Sequence, residues 1–122
     1  VCTKAFSSHW LAEMDFSDTD YLENHLTFAL TGADGVVSEG SVLFTAPKHY
    51  HFRDPELKVT RQGDLLTVEA KNYARSVELY SENADVVLSD NFFDMEAGTK
   101  TVCIVRGEAQ DWKARSVYDI GL

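Results

Sequence analysis

Leu66-Thr67-Val68-Glu69-Ala70-Lys71 places an apolar side chain at every second position and a polar one between. A period of two belongs to a strand, whose successive side chains point to opposite faces, so one side of this segment enters a core and the other meets water. The same alternation returns on both sides of it. Val77 and Leu79 alternate with Ser76, Glu78 and Tyr80; Val102 and Ile104 lie between Thr101, Cys103 and Val105; and in Leu26-Thr27-Phe28-Ala29-Leu30 the larger residues share a face. No segment has a clear helical period, and Ser17-Asp18-Thr19-Asp20 is expected to cap a single turn at most.

Turn chemistry falls between these runs. Thr31-Gly32-Ala33-Asp34-Gly35 and Arg61-Gln62-Gly63-Asp64 each separate two of them, and Glu96-Ala97-Gly98-Thr99 precedes another. Glycine supplies the positive φ that a tight reversal needs. Short strands at this spacing predict an all-β antiparallel sandwich. A boundary is expected near Ala46-Pro47. Pro47 and Pro55 bracket a segment whose His49-Tyr50-His51-Phe52 portion reads as a strand, with ends that cannot sit inside a ladder because proline has no N–H to donate.

The charge balance excludes some partners. Twenty Asp and Glu stand against eleven Lys and Arg, a net charge of −9 over 122 residues, whereas binding to a phosphate backbone needs clustered Lys and Arg. No apolar run approaches the roughly 20 residues that cross a bilayer, so neither a nucleic acid nor a membrane is expected as a partner. The start, Val-Cys-Thr-Lys-Ala-Phe, has no leader pattern and reads as the interior of a longer chain. Cys2 and Cys103 have no metal-type spacing and read as reduced thiols of an intracellular, cytoplasmic protein.

Motifs that carry chemistry are scarce. There is no Gly-x-Ser-x-Gly elbow and no phosphate loop, and no cofactor is expected. His49 and His51, two apart on the expected strand, would share a face beside Asp54, but no third ligand is specified, so packing or surface use is the plainer reading. Aromatic residues are numerous enough for a sugar-stacking platform, although in small sandwiches most fill the core or an interface. Trp112, in the polar setting Gln110-Asp111-Trp112-Lys113, and Tyr73 are the candidates for carbohydrate contact.

Glu39 through Tyr50, Asp54-Pro55-Glu56-Leu57 and above all Val87-Leu88-Ser89-Asp90-Asn91-Phe92-Phe93-Asp94-Met95-Glu96-Ala97-Gly98 resemble the last domain of the β-mannosidases of glycoside hydrolase family two, and Arg115–Ile120 is similar to the terminus of bacterial members. Ser7 through Ser17 resembles the tail of the immunoglobulin-like domain before it, or the strand joining the two. The resemblance implies an immunoglobulin-like sandwich over residues 46–122, with 1–45 as terminal strands of the preceding domain or linking strands of the sandwich. The parent would be a retaining β-mannosidase whose two catalytic glutamates stand on a (β/α)8 barrel. The acid/base glutamate of that family follows an asparagine, and here the four asparagines precede His25, Tyr73, Ala84 and Phe92. No catalytic residue is therefore carried over.

What remains is an accessory domain packing against the barrel and neighbouring sandwich domains of its own chain, with Trp10, His49, Tyr50, His51 and Phe52 as the expected interface. The alternative is a carbohydrate-binding module for mannose-containing oligosaccharides, using Trp112 and Tyr73. In the motif, Ser89, Asp90, Asn91 and Asp94 are expected to bond neighbouring amides and fix a turn, Phe92 and Phe93 to anchor it, and Gly98 to permit the reversal that follows.

Overall fold

The computed structural model describes residues 2–120, and the segments with alternating polarity are its strands. A hairpin comes first, β1 (His25–Gly32) and β2 (Gly35–Leu43), forming a two-stranded sheet of its own. After a link of turns and coil follow β3 (Lys58–Gln62), β4 (Leu65–Ala70), β5 (Ala74–Ser81), β6 (Val87–Leu88), β7 (Phe93–Met95), β8 (Gly98–Arg106) and β9 (Trp112–Arg115), then a 3-10 helix, Val117–Ile120. One sheet has the order β3-β4-β8-β6 and the other β7-β5-β9, and every pairing is antiparallel.

The inner faces of these two sheets make the core. Leu66, Val68 and Ala70 of β4 and Val102 and Ile104 of β8 meet Ala74, Val77 and Leu79 of β5 and Phe93 and Met95 of β7. The polar residues that alternate with them stay outside, which is why register is tightly specified: a slip of one residue would bury Thr67 and Glu69 in place of Leu66 and Val68. Gly63, at φ +62, closes the two-residue loop between β3 and β4. Gly107 has a second reason to lack a side chain, because a Cβ there would stand 2.5 Å from the carbonyl oxygen of Asp85.

Two expectations need correcting. His49–Phe52 is not a strand: the chain turns there, with His49 N donating to Ala46 O at 2.9 Å, so no alternating pair of histidines exists. The ending is helical for one turn, with Ser116 at its head and Asp119 Oδ2 accepting from Ser116 N at 2.8 Å, the carboxylate half of the cap that Ser-x-x-Asp encodes. Among the described residues before Ala46 the strands are those of the hairpin, which pairs with neither sheet of the sandwich. That hairpin has a small cluster of its own beside it, where Phe16 and Tyr21 pack on Phe44 at centroid distances of 5.2 and 5.8 Å.

The joint between hairpin and sandwich

The most concentrated set of polar and aromatic side chains lies where the hairpin meets the sandwich. Tyr73 is its centre, placed by the turn between β4 and β5 and only 9% exposed. The His25 ring stacks on it at 3.8 Å and 15°, and Tyr50 meets Phe52 edge-on at 4.7 Å close by. His25 is held at both nitrogens: Nδ1 lies 3.0 Å from the Tyr50 hydroxyl and Nε2 2.5 Å from Glu96 Oε1. A second histidine pair stands beside it, His51 Nδ1 to Glu23 Oε1 at 2.5 Å.

From the hairpin side, Ser41 reaches the Tyr73 hydroxyl at 2.5 Å and donates to Asp94 Oδ2. Asp94 in turn repairs the sandwich. Strand β5 carries one extra residue against β7, since Ala74 opposes Met95 while Val77 opposes Phe93. That bulge throws Ser76 to φ +52, and Asp94 Oδ1 accepts the displaced Ser76 N–H at 2.8 Å. Arg75 Nη1 lies 3.7 Å from Asp94 Oδ2, buried and without a hydrogen-bond partner of its own. Burial raises the hydroxyl pKa of Tyr73 and of Tyr50 above the ordinary phenol value, because the phenolate is disfavoured away from water.

Beside this network runs a groove of about 430 Å3 between the hairpin and the β7–β8 turn, lined by Glu39, Ser41, Asp94, Glu96 and Lys100 among others. Its size suits a small ligand, but its polar groups already serve each other. Both Asp94 oxygens are engaged as described, Glu96 holds His25, and Lys100 spans Glu39 at 3.6 Å and Asp90 at 3.1 Å. Among the described residues no three His, Cys, Asp or Glu gather to hold a metal ion. Chemically the arrangement is a fastening.

The residues singled out from sequence are distributed unevenly over it. Tyr50, His51 and Phe52 belong to the joint, with Tyr73 at its heart; Trp10 stands apart, 93% exposed, and His49 lies on the exposed turn. Tyr73 has no open ring face for a sugar. Trp112 packs against the core with Nε1 donating to Ala109 O at 3.2 Å, and it pairs with Ser81 at the far end of β5 from Tyr73. A strand of that length separates the two by roughly 25 Å, so they share no platform.

Within the motif, the polar side chains reach adjacent segments rather than fixing their own turn as expected; Asn91 alone among them also bonds locally, accepting from Phe92 N at 3.1 Å. Ser89 Oγ accepts from Cys103 N at 2.9 Å, Asn91 grips Leu79, and Asp90 pairs with Lys100. Phe93 is buried, but Phe92 is 63% exposed at φ +55 and anchors nothing beneath it. Gly98 begins β8 at φ +139. His25, Ser41 and Glu96 were not singled out from sequence, for their partners lie 71, 53 and 71 positions away along the chain. The alternation of β1 did put His25 on the side opposite Leu26 and Phe28, and that was the one available signal.

Residues 52–120, more than half of the chain, match the family model Ig_mannosidase, an Ig-fold domain. The matched span runs from Phe52 through the 3-10 helix and leaves the β1–β2 hairpin outside it. No curated protein matches the chain.

Proposed function

The chain belongs to the Ig-fold domain family of mannosidase-type proteins, and on that premise we propose that it is a non-catalytic accessory domain of a β-mannosidase-like glycoside hydrolase, packing against and supporting the enzyme's catalytic barrel and neighbouring sandwich. An Ig-fold domain of this kind is not itself catalytic. The fold alone would not assign a role, because one sandwich architecture serves many. The observation that carries the reading is the polarity of the hairpin.

His25 and Ser41 reach the sandwich, so their side of the hairpin faces it. Leu26, Phe28 and Leu30, with Val42 across from Leu26, occupy the other side. Phe28 is 51% exposed, Leu30 54% and Val42 42%; Val36 and Val37 near the turn are exposed as well. Phe28 even lies over Gly40, where a Cβ would come within 2.7 Å of its ring. A two-stranded sheet is marginal by itself in water, and this one turns its polar side inward and its apolar side outward. Upstream, Phe6, Trp10, Leu11 and Met14 are exposed too. Apolar surface gathered on one part of a molecule marks an interaction site, and a neighbouring domain of the parent chain supplies the cover.

Hydroxyl-radical footprinting of this domain, free and within its parent enzyme, tests the reading. Phe28, Leu30, Trp10 and Met14 should oxidise several-fold more slowly in the parent, while Phe92 should not change. Equal oxidation in both would overturn it. The carbohydrate-binding alternative has no comparable support, since Tyr73 is covered and Trp112 lies far from it; manno-oligosaccharide titrated to millimolar concentration should leave the amide signals of both unmoved.

A further inference from the structure

The hairpin is built like part of a sandwich, yet it shares nothing with the core of this one. That core draws on no residue before Leu57, and the family match begins at Phe52, after the hairpin has ended. What joins the hairpin to the sandwich is polar: His25 to Glu96, Ser41 to Tyr73 and Asp94, and Lys100 to Glu39 at 3.6 Å. Contacts of that kind belong to the meeting of two domains.

Side chains of the hairpin alternate as those of sandwich strands do, apolar to one side and polar to the other. His25, Thr27 and Ala29 share a side with Glu39 and Ser41, and Leu26, Phe28 and Leu30 share the opposite side with Val42. Register puts Gly40 across from Phe28, whose ring lies over that glycine and so spans both strands. The backbone has an open edge as well. Among the described residues this sheet is two-stranded, so the edge of β1 away from β2 has no partner for its N–H and C=O groups. From Leu26 to Leu30 that edge has no charge, proline or bulge, the devices that ordinarily blunt an exposed strand. Strand β2 differs, for it carries Glu39 and an extra residue, Val37, between the Leu30–Ser38 and Thr31–Val36 pairs.

We propose that β1 and β2 are two strands of a second antiparallel sandwich in the parent chain, which adds a strand along the free edge of β1 and packs its facing sheet over Leu26, Phe28, Leu30 and Val42. The proposal rests on the accessory-domain reading above and narrows it, since the cover of the hairpin is then a β-sheet rather than the barrel. Backbone pairing supplies what side-chain cover does not: two strands alone are marginal in water, and a third with an apolar face makes a sheet stable. The chemistry of the added strand follows from the pleat. It is extended, with apolar side chains on the side of Phe28 and polar ones on the side of Thr27. A facing sheet about 10 Å away completes the core. The polar side of the hairpin is then the outer face of that sandwich, and the contacts of His25 and Ser41 are those between two domains.

Hydrogen–deuterium exchange, read residue by residue by fragmentation mass spectrometry on the free chain and on the parent enzyme, tests the pairing. Alternate amides of Leu26–Leu30 point away from β2. In the parent these should exchange about 100-fold more slowly than in the free chain, with the amides of β4 and β8 as the common reference. Slowing on β1, together with protection of Phe28 from oxidation, supports the proposal. Protection of Phe28 without slowing on β1 overturns it and leaves the accessory-domain reading standing, because a helical or barrel surface covers side chains without pairing the backbone. Slowing on β2 alone overturns the choice of edge. Equal exchange and equal oxidation in both samples overturn the proposal and the reading together.

Discussion

Asn91 completes the hydrogen bonding of Leu79 with its side chain: Oδ1 accepts from Leu79 N at 2.8 Å and Nδ2 donates to Leu79 O at 3.1 Å. The register explains the need. Val77 opposes Phe93, so two steps along the antiparallel ladder Leu79 would face Asn91. Phe92, at φ +55, has already turned the backbone out of the strand there. The primary amide stands in for the peptide group that has swung away, and the buried Leu79 keeps both of its backbone partners.

Asn91→Ala should therefore leave one N–H and one C=O of a buried strand unsatisfied. The expected loss is about 1–3 kcal/mol of unfolding free energy, measured by urea denaturation. Asn91→Asp keeps the acceptor and loses the donor, and should fall between the two. A loss below about 0.5 kcal/mol in Asn91→Ala would show that water satisfies Leu79 equally well.

The two aspartates of the same motif should behave differently. Asp94 binds the bulged Ser76 N–H and Ser41 and stands beside the buried Nη1 of Arg75, which has no hydrogen-bond partner, so Asp94→Ala should cost about 2–4 kcal/mol. Asp90 meets Lys100 on the surface, half exposed, and Asp90→Ala should cost no more than about 1 kcal/mol. Comparable losses in matched denaturation curves would contradict the separate roles assigned to them.

Neighbouring phenylalanines should show an equally sharp contrast. Phe93→Ala empties a core position and should cost about 3–5 kcal/mol. Phe92→Gly removes an exposed side chain from a left-handed backbone, and relief of that strain should leave stability unchanged or raise it by about 1 kcal/mol. Thermal and chemical denaturation of the two variants would decide, and a marked loss from Phe92→Gly would mean that its ring packs.

Alkali should weaken the fold through the joint. Burial raises the pKa of Tyr73 and Tyr50 in the folded chain, so the folded state holds these protons more tightly than the unfolded one. The sign follows: their contribution is complete below the unfolded value of about 10 and is lost as the pH rises through the raised folded values. Unfolding free energy should fall between about pH 9.5 and pH 11, and the fall should shrink in the Tyr50→Phe, Tyr73→Phe double variant. An unchanged slope in that variant would place the alkaline sensitivity elsewhere.

The sandwich was readable because its code is local. The alternation of Leu66, Val68 and Ala70 with Thr67 and Glu69 named the core face of β4, and the glycines at 63 and 98 marked reversals whose positive φ few other residues accept. Where one residue type suits two structures, the reading failed. His49-Tyr50-His51-Phe52 has the composition of a strand, but it runs between a turn and the prolines and forms the wall of the joint. Ser116-x-x-Asp119 held a capping signal for one helical turn, too short for periodicity to register.

Sequence by itself determined which residues can share a face, because the two-residue period is set by the backbone, and it determined the family, because a motif such as Leu88–Asp94 survives as a string. It also set the amphipathic character of β1, with Leu26, Phe28 and Leu30 together and His25 opposite. Only the tertiary structure decided which way that face turns. Whether an apolar side meets a core or open water depends on what lies across from it, and here those partners, Tyr73, Asp94 and Glu96, are tens of residues away along the chain.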